Sequence, residues 1–331
     1  MNMKVRVPLM LALWVVGLVG ASCTKSEAVS EPGVFAQPIG ALAALLEAGY
    51  VYPEVGTRYA TRLRDNLAQG AYREYVAQAD LAMRLTSDLQ AVSPDGHLRV
   101  VTTEQGPSAG GPPRPEPVSE ARWLSEGIAH IRINGFPGDD ATVERVDQFM
   151  KEHATARVLI IDARTHGGGG TREMNVLLPY LFDQETVLAY MDAPERNLEL
   201  RCLPPADPTL REVQGPEGIY RRAHLVRPNP DESRLFGAQV FYLTSKRTAS
   251  AAEHLALALQ RTGRATLVGE PTAGANHFSC LRELGDGLAV VLPVGRTVDP
   301  DTEQDWEGVG ILPDIEVPAD DALEEVLARV K

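Results

Sequence analysis

Four short stretches of this sequence carry residue types that chemistry could use. Ser250 stands where the apolar run Val240–Thr244 leaves through the polar turn Ser245-Lys246-Arg247-Thr248-Ala249 and enters the alanine-rich segment Ala251–Arg261. A serine at a helix start can cap the helix by accepting a backbone N–H. It can also be a nucleophile, its oxyanion held by the unpaired N–H groups and positive end of the helix. Local sequence leaves both open. The second stretch is Asp162-Ala163-Arg164-Thr165-His166-Gly167-Gly168-Gly169-Gly170, four glycines soon after another apolar run. Such a run can adopt positive φ and approach a bound group, as an oxyanion hole or phosphate cradle needs, or it can be a flexible turn. The GxxxxGK[ST] pattern of a phosphate loop is missing. Third, the turn Ser93-Pro94-Asp95-Gly96 delivers His97, a side chain whose ordinary pKa suits general-base work near neutrality. His254, one helical turn after Ser250, and His277 are rival bases. Fourth, Glu307 lies in the glycine-rich turn Trp306–Asp314, where an isolated glutamate is ordinarily a solvated surface group.

The elements that must position these residues follow from periodicity. Apolar residues recur at helical spacing from Pro38 to Val92, as in Leu42, Leu45, Leu46 and Leu81, Leu85, Leu89, with Pro53, Gly70 and Ser93 as breaks. This predicts three helices packed as a small bundle. Residues 104–117 hold five prolines and three glycines and read as an exposed linker. Beyond it, strands at Ile128–Ile133, Val158–Asp162, Val240–Thr244 and Ala265–Val268 alternate with helices at Asp140–His153 and Ala251–Arg261, and Ala322–Val330 closes the chain as a helix. That alternation predicts α/β architecture around a sheet core.

Composition narrows the function classes. The 331 residues are 44% hydrophobic and 23% charged, which supports a real core and excludes global disorder. The net charge of −13 argues against nucleic acid as a partner, since phosphate binding wants a basic surface. Lys4 and Arg6, the apolar run Val7–Val19 and the small residues Gly20-Ala21-Ser22 before Cys23 read as an export signal over residues 1–22. The run is shorter than the ~20 residues that cross a bilayer. Cys23 is then either acylated, as in a bacterial lipoprotein of the periplasm or cell envelope, or free or absent after ordinary cleavage near Ala21; residues 23–37 are a polar tether. Cys202 and Cys280 are either a disulfide, as an oxidising compartment allows, or two buried thiols. No CxxC or HExxH pattern points to a metal, and nothing calls for a cofactor.

Taken in order, the four stretches resemble the S41 peptidase family: the carboxyl-terminal processing proteases, the tricorn core protease and the interphotoreceptor retinoid-binding protein modules. The similarity runs from about Pro38 to Ala322 and is most specific at Thr248-Ala249-Ser250-Ala251-Ala252-Glu253 followed by Gly269-Glu270-Pro271-Thr272-Ala273-Gly274. The resemblance implies a crotonase/ClpP-like ββα spiral core, residues 97–331, preceded by a helical N-terminal domain, residues 38–96. It implies Ser250 as nucleophile, with an oxyanion hole from the N–H of Ala251 and one from Gly167, Gly168 or Gly169. One branch of the family activates its serine with a lysine, and here Ala275 stands at that place. The tricorn-like branch uses a histidine and a late glutamate, which His97 and Glu307 match. His97 would then deprotonate Ser250 while Glu307 orients the imidazole. Tricorn-like sites also carry a serine before the histidine, and here it is Gly96. No room is left for a PDZ domain between His97 and Ile128, so substrate selection would fall on the cleft, with Arg221, Arg222 and His224 as candidates.

Two functions are therefore expected to compete. One is a secreted or lipid-anchored serine endopeptidase acting on peptides or unfolded proteins, with a kcat/KM that rises through an apparent pKa near 6–7, the range of an ordinary histidine. The other is a non-catalytic binder of apolar ligands or peptides on the same fold. The oligomeric state stays open.

Overall fold

The computed structural model describes residues 33–104, 115–205 and 207–330, together with residues 1 and 3. The export signal and Cys23 lie outside the described residues, as do most of the tether and most of the 104–117 linker. The chain runs through α1 (Ala36–Gly49), α2 (Pro53–Ala68), α3 (Gln78–Gln90), β1 (Arg99–Thr102), β2 (Val118–Ser125), β3 (Ile128–Ile133), α4 (Asp140–Glu152) and β4 (Val158–Asp162). It continues with α5 (Arg172–Leu177), β5 (Thr186–Pro194), β6 (Leu210–Val213), β7 (Ile219–Val226), β8 (Gln239–Thr244), α6 (Ala251–Arg261), β9 (Thr266–Gly269), β10 (His277–Gly285), β11 (Leu288–Val298), β12 (Ile315–Glu316) and α7 (Ala322–Arg329). The mixed α/β architecture behind an N-terminal helical layer agrees with the sequence reading.

Two six-stranded sheets form the frame. One has the order β12-β9-β8-β4-β3-β2, parallel except for the β2–β3 hairpin. Its central strands are covered on both faces. Leu159, Ile161, Val240 and Tyr242 enter the core beneath α4, α5 and α6, while Val158, Ile160, Phe241 and Leu243 enter a second core with Ala322 and Val326 of α7. Burial on both faces is why Val158–Asp162 reads as an uninterrupted apolar run rather than an alternating one.

The second sheet is antiparallel, with the order β1-β11-β5-β7-β6 and β10 paired to β11. Between β4 and β8, neighbours in the parallel sheet, the chain crosses to the antiparallel sheet to lay down β5, β6 and β7 before it returns. Helices α1–α3 pack on this second sheet: Ile39, Leu42, Leu46, Leu81, Leu85 and Leu89 share a core with Leu288, Val290, Leu292 and Val294 of β11. Cys202 and Cys280 are joined as a disulfide across 78 residues, tying the segment before β6 to β10.

Candidate active site

The site lies at the carboxyl ends of β4 and β8, where an α/β sheet characteristically opens toward ligands. β4 runs out into the glycine loop and β8 into the turn before Ser250. The two exits are laced together: the Thr248 hydroxyl donates to the Ala163 carbonyl at 2.8 Å, and the Ala249 N–H donates to the His166 carbonyl at 3.0 Å.

Ser250 has φ +57° and ψ −119°, a left-handed conformation that costs a non-glycine residue about 1–3 kcal/mol. Something must hold it there. Its N–H donates to Glu253 Oε2 at 2.8 Å, and that fully buried carboxylate also accepts from the N–H groups of Ala275 (2.9 Å) and Gly274 (2.7 Å) and from the Thr272 hydroxyl (2.6 Å). The N–H of Glu253 goes to the Ser250 carbonyl at 2.8 Å. Ser250 Oγ faces His97 Nε2 at 3.1 Å instead.

His97 sits between α3 and β1 on a loop fixed from several sides. Gln90 bonds both the N–H and the carbonyl of Asp95 and the carbonyl of Leu98 (2.8–2.9 Å), and the Tyr59 hydroxyl donates to the Ser93 carbonyl at 2.7 Å. Asp95 Oδ1 accepts the N–H groups of His97 at 2.7 Å and Leu98 at 3.0 Å. Burial pushes the His97 pKa down to about 4 against the opposing charge of Asp95, so the imidazole is neutral and able to accept a proton at pH 7. With Nε2 as the acceptor toward Ser250, the proton resides on Nδ1, a buried atom without a hydrogen-bond partner.

Glu307 does not reach that Nδ1. Its Oε1 accepts from the N–H of Gly96 at 3.3 Å and its Oε2 from the N–H of Asn276 at 2.7 Å. The carboxylate thus holds the residue before the histidine rather than the ring. Burial raises the Glu307 pKa above its ordinary value.

The glycine loop divides into two halves by hydrogen bonding. The Gly167 N–H donates to the Asn134 carbonyl at 3.1 Å and the Gly168 N–H to His166 Nδ1 at 3.1 Å. Of the four candidate oxyanion donors, Gly169 and Ala251 keep N–H groups without a partner among the described residues. His166, for which local sequence suggests no role, is buried and kept neutral by that burial, its pKa lowered to about 3. Gly168 has φ +100°, and a Cβ there would stand 2.7 Å from the Cβ of Ser250. We therefore expect Gly168→Ala to lower kcat/KM by at least ~10²-fold, the scale of losing one oxyanion donor. Circular dichroism should show the fold retained; a rate within about threefold of the parent would mean that the loop does not abut the reacting centre. Beside it, Asn134, Phe136, Pro137 and Gly167–Gly170 line a cavity of about 700 Å³, within the size range of a ligand cleft.

The rival bases lie elsewhere. His254 is buried with its Nε2 against His224 Nδ1 at 2.9 Å, and burial holds its pKa well below the ordinary range. His277 Nδ1 is bonded to Asp95 Oδ2 at 2.9 Å. The proposed selectivity cations are already spent. Arg221 is paired with Asp192 and Glu303, Arg222 donates to the Pro204 carbonyl at 2.9 Å, and His224 is buried between His254 and Asn175. Their place in an interior network, invisible in a linear basic segment, removes them from substrate selection. Glu253 was readable in principle, since Ser-x-x-Glu is capping-box spacing.

Comparison with known proteins gives a consistent picture. Residues 127–317 match peptidase family S41, and residues 35–126 match the N-terminal domain of peptidase S41 in eukaryotic IRBP. A carboxyl-terminal-processing protease of Picosynechococcus sp. is 30% identical over 196 residues, which are 58% of this chain and 40% of that protein, so the chain spans well under two thirds of that relative. A crystal structure from Parabacteroides merdae superposes with a TM-score of 0.61 at 15% identity, covering 88% of this chain and 95% of that one. The photosystem II D1 C-terminal processing protease superposes with a TM-score of 0.56 at 17% identity, covering 86% and 93%. At such identities the superpositions speak to the fold.

Proposed function

This chain belongs to peptidase family S41, and from that premise we propose that it is a serine endopeptidase acting on peptides or unfolded proteins through Ser250 and His97. The observation that carries the reading is the 3.1 Å contact between His97 Nε2 and Ser250 Oγ, with the imidazole neutral. In the acylation step His97 Nε2 takes the Ser250 proton as Oγ attacks the peptide carbonyl. The N–H groups of Gly169 and Ala251, the latter at the positive end of α6, stabilise the oxyanion. His97 then gives its proton to the departing amine, and water releases the acyl group by the reverse sequence. Asp95 supports His97 through its backbone N–H, and Glu307 through that of Gly96. Export, with a tether at Cys23 or release after cleavage near Ala21, is part of the same proposal and rests on the sequence of residues 1–23.

The test is labelling of purified protein by a fluorophosphonate, read by intact mass. Stoichiometric labelling of the parent that Ser250→Ala removes supports a peptidase; no labelling of a well-folded parent favours the non-catalytic binder.

Desolvation also sets the pH dependence. A base must be unprotonated to work, and a lowered pKa extends the unprotonated range toward acid. The kcat/KM for a peptide substrate is expected to rise through about pH 4 and be level between pH 6 and 7. This replaces the limb near 6–7 expected for an unperturbed histidine. A rise seen only above pH 8 would point to a lysine base and overturn the assignment.

A further inference from the structure

Three ionisable side chains from separate stretches meet behind His97. Asp95 precedes it by two residues, His277 opens β10, and Glu307 lies in the turn after β11. His277 Nδ1 is 2.9 Å from Asp95 Oδ2 and 3.6 Å from Glu307 Oε2. Each carboxylate spends its other oxygen on the backbone around the base: Asp95 Oδ1 takes the N–H of His97 and of Leu98, and Glu307 Oε1 takes the N–H of Gly96. The ring of His97 has no such support, since its Nδ1 is buried and unpaired.

We propose that His277 is a positioning residue for His97: as an imidazolium whose Nδ1–H faces both Asp95 Oδ2 and Glu307 Oε2, its Nε2 buried without a partner among the described residues, it holds both carboxylates against the backbone on either side of the base. A bond from carboxylate to imidazole is thereby replaced by a clamp on the main chain. This rests on the reading of His97 as the base.

Charge accounting around His277 supports it. From the turn between α1 and α2 come the Tyr50 hydroxyl, which donates to Asp95 Oδ2 at 2.6 Å, and the Tyr50 and Tyr52 rings, edge-on at 6.3 and 5.4 Å. From beyond β11 comes Asp305, occupied by the Tyr52 hydroxyl and by Arg296, each at 2.7 Å. His97 completes the set. Arg296 is spent on Asp305, and His277 lies within ion-pair distance of both Asp95 and Glu307. Burial alone would lower its pKa; the hydrogen bond and charge of Asp95, with Glu307 and Asp305 behind, outweigh burial and raise it. The charge of His277, with that of Arg99 beside it, in turn adds to the burial that lowers the His97 pKa. At Gly96 a Cβ would meet the Ala275 Cβ at 3.2 Å, so a side-chain relay from residue 96 would need that contact to give way.

The experiment is the pH dependence of the second-order rate of Ser250 modification by a fluorophosphonate, measured for the parent, His277→Gln and His277→Lys. Removing the cation leaves the charge of Asp95 less opposed, which favours the protonated form of His97. The acid limb should therefore move up by roughly half to one pH unit in His277→Gln. His277→Lys, which keeps the charge, should restore the parent limb. A slower His277→Gln enzyme with an unmoved limb would mean a purely structural role and overturn the inference. If labelling survives Ser250→Ala or His97→Ala, the reading of the site has failed instead. Should His277→Gln not fold, ¹⁵N NMR of the parent histidines decides: His277 protonated on both nitrogens at pH 6 supports the bridge, and a neutral ring there refutes it.

Discussion

Ser250→Ala is expected to abolish both fluorophosphonate labelling and peptide hydrolysis, and His97→Ala to do so about as completely. The reason is geometric. Ser250 Oγ is paired with His97 Nε2 at 3.1 Å, and the hydroxyl is a weak nucleophile until a base takes its proton. Residues that act as a unit lose most of the rate when either is removed, so each variant should fall by roughly 10⁴- to 10⁶-fold in kcat/KM, and the double variant should be little worse than either. The residual rate would come from Gly169, Ala251 and substrate binding. Stability should hardly change for Ser250→Ala, because the strained turn is held through the Ser250 N–H and not through its hydroxyl. The control is His254→Asn. His254 is paired with His224 in the interior, so a folded His254→Asn protein should retain activity within about tenfold. An inactive but folded His254→Asn protein beside an active His97→Ala protein would reverse the base assignment.

Glu253→Ala is the variant expected to cost the most stability at the site. One buried carboxylate accepts from the N–H groups of Ser250, Gly274 and Ala275 and from the Thr272 hydroxyl. Truncation strands four donors, each costing about 1–3 kcal/mol if it stays dry. Water entering the vacated space would satisfy some of them, so the net loss should be about 3–5 kcal/mol, visible as a Tm lower by roughly 5–8 °C. Activity should fall as well, because nothing else among the described contacts bonds the Ser250 N–H and holds that residue at φ +57°. Chemical denaturation of Glu253→Ala against the parent measures the loss. A Tm within about 2 °C of the parent would show that the carboxylate does not brace the turn.

Much of the frame was legible because its signals are local. Val158–Asp162 and the run ending at Thr244 are apolar on both faces, and Ala251–Arg261 begins directly after a polar turn, so strand and helix are written in consecutive residues. The antiparallel sheet was not legible. Its pairing of Arg99 with Val291 joins residues far apart in the chain, and no local pattern specifies such a partner. The same separation explains the site. Ser250, His97 and the glycine loop stand out by residue type and setting, whereas the burial of His277 against Asp95, or of Arg221 against Asp192, depends on strands that meet only after folding.

The sequence by itself therefore determined the chemical inventory of this protein: a serine at a strand-to-helix turn, a histidine in a tight acidic turn, glycines able to approach a reacting carbonyl, and an alanine where one branch of the family keeps a lysine. Only the tertiary structure decided how the inventory is used. It left Gly169 and Ala251 with N–H groups unspent among the described residues, turned Glu307 to the backbone of Gly96 instead of the ring of His97, and enclosed His97 so that its pKa drops to about 4. Hydrogen-bond saturation and desolvation are sums over everything packed around a group, and they come into existence only when both sheets and the helical layer close on the site.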